Sequence, residues 1–144
     1  MSQTNVAIVR NLLVDGADVA ALVRDDSTWT RMRAEVDALI EPDYAVAWIA
    51  NGQRAIEATG LLESRRGWLD WLEPWETYHV QIERIIPTGD KVVVLSRMHG
   101  RMVGTENEVE MIGASVYLVR GRKVAGVDHY ADRAEALEAA GLPG

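Results

Sequence analysis

The chain has 144 residues, 48% hydrophobic and 26% charged, which predicts one compact domain and excludes both disorder and an apolar membrane-spanning stretch. With 15 basic and 22 acidic residues its net charge is -7, which repels phosphate backbones and anionic lipid and disfavours nucleic acid and membrane as partners. No cysteine is present, so disulfides, thiolate metal sites and thiol nucleophiles are excluded.

In chain order, Val6, Val9, Leu12 and Leu13 recur at helical spacing and predict a first amphipathic helix over residues 5–13, stopped by Asp15-Gly16. A short turn over 18–23 leads to Ser27, the expected N-cap of a second helix that carries Met32, Val36, Leu39 and Ile40 and ends before Pro42. Residues 44–49 read as a short buried strand, followed by a loop holding Asn51-Gly52 and Gly60. A further helix is expected over 62–71, with Pro74 ending or kinking it near Leu72. Trp68, Trp71 and Trp75 share one face if helical geometry persists, either as core or as the cap of a pocket.

Alternation then predicts strands over 78–86, 91–102, 108–119 and 123–131, with turn signals at 88–90, 104–105 and 120–122. They read as hairpins of an antiparallel sheet. A closing helical turn over 132–140 has Asp132 as N-cap and Gly141 as stop. Helices first and a sheet second make the fold class α+β, one domain over residues 1–144.

Splitting the strands by parity gives the candidate site. Val93, Leu95, Arg97, His99 and Arg101 share one face of the second long strand; Val92, Val94, Ser96 and Met98 share the other. The first face passes from apolar to polar, as a pocket wall would, or else simply emerges into solvent. His129 shares a face with Val127, so its neighbour Asp128 points away from it. In the third long strand Met111, Ser115 and Tyr117 oppose Glu108, Glu110 and Ile112; the pattern leaves the inward face open, with the apolar set containing Met111 and Tyr117 preferred. The three histidines are far apart in sequence and no phosphate loop, serine elbow or dinucleotide fingerprint is present, so neither a metal nor a cofactor is expected.

Five segments in this order, NVAIVRNLLVDG, EPDYAVAW, RRGWLDWLEPWETYHVQIE, GDKVVVLSRMHGR and HYADRAEALEAAGL, together resemble the SnoaL-like branch of the nuclear transport factor 2-like superfamily over nearly the whole chain. The resemblance implies a cone: a strongly curved, mainly antiparallel sheet wrapped by helices around a pocket, often dimeric through the sheet. It implies no single reaction, because the superfamily spans polyketide cyclases, ketosteroid isomerase, limonene epoxide hydrolase, dehydratases and plain binding modules. Arg97, His99 and His129 fall where limonene epoxide hydrolase has its Asp-Arg-Asp set, with the arginine kept and both carboxylates replaced by histidine. The general base of ketosteroid isomerase falls at Trp48, and its oxyanion-hole aspartate near Ala114, so neither carboxylate is present. Two imidazoles beside a guanidinium could still divide acid and base roles near neutral pH, since histidine titrates around ~6.5.

The expectation is therefore a small-molecule pocket protein for a small, largely apolar organic ligand: a cofactor-independent isomerase, cyclase, lyase or hydrolase, or alternatively a non-catalytic binding or dimerisation module. Its catalytic candidates are His99, His129 and Arg97, and its substrate-binding candidates Trp48, Trp68, Trp71, Leu95, Met111 and Tyr117. A homodimer is expected, and a cytoplasmic location, because the opening MSQTNVAIVRNLL lacks a secretory pattern.

Overall fold

Long alternating strands rich in Val, Ile and Tyr dominate the second half of the chain, and pairing them edge to edge produces the layer on which everything else is placed. The computed structural model describes residues 2–143. Its order is α1 (Ser2–Arg10), α2 (Val19–Arg24), α3 (Asp26–Val36), a 3-10 turn (Asp37–Leu39), β1 (Ile40–Ala50), β2 (Gln53–Thr59), α4 (Gly60–Leu72), β3 (Trp75–Thr88), β4 (Lys91–Met102), β5 (Glu108–Arg120), β6 (Lys123–Tyr130) and α5 (Arg133–Ala139). The six strands form one curved sheet in the order β2-β1-β6-β5-β4-β3. All neighbours are antiparallel except β1 and β6, which run parallel. The four later strands pair as the antiparallel hairpins that their alternation predicts, and the parallel β1-β6 pair makes a mainly antiparallel sheet mixed.

The concave face carries the main core. Val9 of α1 packs there with Val46, Trp48, Val92, Val94, Val124 and Val127, and full burial of each such side chain contributes about 1.5–3 kcal/mol. On the convex face α5 covers a smaller cluster around Val93, Val116 and Ala136, with Leu95 and Leu137 against it. Asp132 caps α5 by accepting hydrogen bonds from the amides of Ala134 (2.8 Å) and Glu135 (3.3 Å), and Gly141 follows with φ 78°. That matches the cap and stop expected from the sequence.

Four local readings are corrected. Residues 53–59 form a strand, β2, and not a loop. Asn51 (φ 53°) and Gly52 (φ 74°) both sit in the left-handed region, the geometry of a two-residue hairpin turn, but QRAIEAT has only two β-branched residues, Ile56 and Thr59, to advertise it. The N-cap of α3 is Asp25, not Ser27: its carboxylate accepts from the Thr28 amide at 2.8 Å and from the Ser27 and Thr28 hydroxyls. Those bonds, led by the Thr28 hydroxyl, hold Asp25 down to about 2. That helix ends at Val36, so Leu39 lies in the 3-10 turn and Ile40 opens β1. Trp75 leaves the helical face of Trp68 and Trp71, because α4 stops at Leu72 and Trp75 opens β3, packing edge to face on Tyr78 at 5.5 Å.

Strand β3 is an edge strand, and the segment before α2 covers part of it. Gly16 N–H donates to Val80 O (2.7 Å), Asp15 Oδ1 accepts from Ile82 N (2.8 Å), and Asp18 Oδ1 accepts from Tyr78 N (2.9 Å) while also capping α2. These bonds satisfy edge groups that would otherwise template aggregation. They also pin α2 over the sheet.

Candidate functional site

A transverse row of the sheet sets the inner wall of the site. Trp48 on β1 is the register partner of His129 on β6, His129 of Ser115 on β5, and Ser115 of Val94 on β4. Side chains opposite one another in a ladder project from the same face, so these four point together to the concave side. Helices α2, α3 and α4 and the segment after α1 (Leu12, Leu13 and Val14) close over them around a cavity of about 240 Å³. This is just below the ~300–1,000 Å³ of pockets for drug-sized ligands.

The wall is mainly aromatic. His129 lies 5.3 Å from the Trp48 ring and 5.1 Å from Trp68, while Trp48 and Trp68 meet at 5.2 Å, edge to face. Gly67 on α4 makes room for this packing: a Cβ there would stand 2.5 Å from Trp48 Cζ3. Trp71 Nε1–H donates to the Tyr78 hydroxyl at 3.4 Å, tying α4 to β3. Tyr44 and Tyr117 also line the cavity. Burial pushes both phenols up, and for Tyr44 the nearby Tyr117 acts in the same direction, so both stay protonated and able to donate. Trp48 Nε1–H is buried with no partner among the described residues.

His129 is the one imidazole among the described residues of the wall. Burial lowers its pKa from 6.5 to about 4, so the ring is neutral at pH 7. Its Nδ1 is 2.7 Å from Ser115 Oγ, and no described residue hydrogen-bonds Nε2. If Nδ1–H donates to Ser115, Nε2 is a free base; if the Ser115 hydroxyl donates, Nε2 carries the proton. The pair can therefore present either form. Asp128, next in sequence, turns outward to Arg54 at 3.4 Å, as the strand parity requires.

The sequence candidates divide. His129, Trp48, Trp68, Trp71 and Tyr117 line the cavity. Arg97, His99 and Leu95 do not, which corrects the expectation of one shared His99-His129-Arg97 site. Their parity faces the convex side, while Val94, Ser96 and Met98 of the same strand face in. Arg97 pairs with Glu83 (3.3 Å) and Glu110 (2.5 Å), and these carboxylates raise its pKa further. His99 Nδ1 meets Glu108 at 2.7 Å, and its ring stacks on His79 at 4.8 Å. Leu95 packs under α5. Met111 faces in but stops short of the cavity, against the Leu72, Trp75 and Tyr78 cluster. Sequence reasoning had grouped Ser115 with Met111 and Tyr117 on one face, yet gave it no role; only the β5-β6 register reveals its position opposite His129.

Among the described residues no cluster of three or more His, Cys, Asp or Glu could hold a metal ion, and no helix is long and apolar enough to cross a membrane.

Helices over one face of a curved mixed sheet, enclosing an aromatic cavity, define a cone of the nuclear transport factor 2-like class. The SnoaL-like domain family matches residues 13–127, and the chain belongs to that family. Similar solved structures include a candidate SnoaL-like polyketide cyclase from Jannaschia sp. CCS1 (TM-score 0.67, 17% identity, covering 99% of this chain and 95% of that one). Another is TerC co-crystallised with polyporic acid (TM-score 0.65, 13% identity, 94% and 98%). A third is an epoxide hydrolase from M. tuberculosis similar to limonene epoxide hydrolase (TM-score 0.57, 16% identity, 95% and 84%). At these identities the likeness is one of fold. No curated protein matches the chain.

Proposed function

We propose that this protein binds a small, largely apolar organic molecule in the cavity and, without a cofactor, moves a proton on it through His129. The reaction classes that fit are isomerisation, cyclisation, elimination and hydrolysis. The observation that carries this reading is the half-buried His129, held by Ser115 at 2.7 Å and packed against Trp48 and Trp68 on the cavity wall. The protonated hydroxyls of Tyr44 and Tyr117 supply neutral donors for a developing oxyanion. The reaction named for the M. tuberculosis structure and the class named for the Jannaschia structure are compatible with such chemistry. We take the protein to act in the cytoplasm as a homodimer, which sedimentation can check.

A binding module without chemistry is the second reading, favoured by the absence of any carboxylate among the described cavity-lining residues. One experiment separates the two. A panel of ring ketones and phenols is titrated by tryptophan fluorescence, and hydrogen-deuterium exchange at the acidic carbon of each bound ligand is followed by NMR. The catalytic reading expects exchange in the parent protein and its loss by about 10²–10⁴-fold in His129→Gln, with binding kept. Binding with equal exchange in both leaves a binding module, and failure of the whole panel to bind removes the pocket reading.

A further inference from the structure

Helix α3 directs its inward positions at the cavity instead of the core. Trp29, Met32, Arg33 and Val36 follow the i, i+3, i+4, i+7 spacing of one helical face, all four line the cavity, and no residue of α3 is buried. Three of the four are apolar, as a ligand-facing stripe requires. The fourth is an arginine, the one permanently charged residue among the described lining residues.

Arg33 is also unspent. Its guanidinium makes no ion pair or hydrogen bond with any described residue, whereas Arg97, Arg120 and Arg133 are each committed to glutamates at 2.5–3.3 Å. Arg65, over the Trp29 ring at 5.7 Å, is committed as well, to Asp26 at 2.7 Å. Asp37, one turn beyond Arg33, donates its amide to Arg33 O without pairing its carboxylate to the guanidinium. Arg33 is exposed and so stands at the mouth, with His129 on the inner wall. In a chain of net charge -7 the overall field repels anions, so an anionic group at this mouth would need a local cation.

We infer that the ligand is an amphiphilic organic acid, its apolar body against Trp48 and Trp68 and its carboxylate on Arg33. The inference rests on the pocket reading above and adds the charge and direction of the ligand. A guanidinium offers a planar fork of donors that matches a carboxylate, and an acid entering body first would leave its charge in water while presenting its far end to His129.

The test uses 2-naphthoate and its uncharged counterpart 2-naphthalenemethanol, each titrated by tryptophan fluorescence at pH 7 and low salt. The proteins are the parent, Arg33→Gln, Arg33→Lys and Arg31→Gln, the last changing the same charge on the outward side of α3. The parent is expected to prefer naphthoate. Arg33→Gln should weaken naphthoate about tenfold and leave the alcohol unchanged; Arg33→Lys should fall between, and Arg31→Gln should behave as the parent. Equal naphthoate affinity in parent and Arg33→Gln, or an equal loss in Arg31→Gln, overturns the inference. Binding of the alcohol but not of naphthoate by the parent overturns it while the pocket reading stands, whereas binding of neither removes both.

Discussion

Ser115 Oγ lies 2.7 Å from His129 Nδ1, directly across the β5-β6 ladder, at the one place where a titratable group meets the cavity wall within hydrogen-bond reach of a hydroxyl. This contact fixes the plane of the ring and couples its tautomer to the direction of the Ser115 hydroxyl. Ser115→Ala should therefore bind ligand as the parent does and lower turnover about tenfold, the worth of one orienting hydrogen bond. Ser115→Thr, which keeps the hydroxyl, should recover most of the rate. Measuring KM and kcat separately checks this, since a loss confined to KM contradicts a positioning role.

His129 also links stability to pH. Its folded-state pKa is lowered from 6.5 to about 4 by burial. Below pH 6.5 the unfolded chain takes up a proton that the folded one resists, so this contribution is intact above pH 6.5 and is lost as pH falls through 4. At about 1.4 kcal/mol per unit the loss is up to about 3 kcal/mol. Urea unfolding from pH 7.5 to 4 should show this slope, and His129→Gln should flatten that part of the profile.

Gly67→Ala should destabilise the protein by about 1–3 kcal/mol, the cost of overpacking a close contact. The added Cβ would stand 2.5 Å from Trp48 Cζ3 and 2.9 Å from Cη2, so the indole must shift. Denaturant midpoints and the quenching of tryptophan fluorescence by ligand should both change, because Trp48 is part of the wall.

Arg97→Ala and His99→Ala test the placement of these side chains outside the cavity. Both side chains lie on the convex face, Arg97 in partly solvated ion pairs with Glu83 and Glu110 and His99 in a hydrogen-bonding contact with Glu108, and such surface contacts are worth about 0–1 kcal/mol each. Neither change should alter ligand affinity or turnover by more than about twofold, and each should cost under about 1 kcal/mol by denaturant unfolding. A large loss of turnover in either would return the convex face to consideration.

The fold was largely legible because its signals are local. Strand β4 has the bounds predicted from alternation, residues 91–102, and α5 has the predicted cap and stop. The site was only half legible because parity sorts a strand into two faces without saying which one is covered. In β4 the face holding Arg97 and His99 looked functional since its polar groups were conspicuous. Ser96, buried on the opposite face, was less conspicuous and faces the cavity. Ser115 became a partner of His129 only through strand register, which depends on pairings between residues far apart in sequence. The parallel β1-β6 pairing, which brings Trp48 beside His129, is non-local in the same way. Trp29 and Arg33 were readable as a helical stripe with Met32 and Val36, yet nothing in that stripe distinguishes a face over a cavity from one over a core.

The most direct test of the central claim, a ligand cavity with His129 as its titratable wall, is an NMR titration of the imidazole nitrogens with and without 2-naphthalenemethanol. The chain has three histidines, so each can be assigned by substitution. The account predicts that His129 titrates near 4, that its nitrogens report a neutral ring at pH 7, and that ligand shifts the His129 signals while leaving His79 and His99 in place. A His129 that titrates near its ordinary value and ignores the ligand, while His79 or His99 responds, would contradict it.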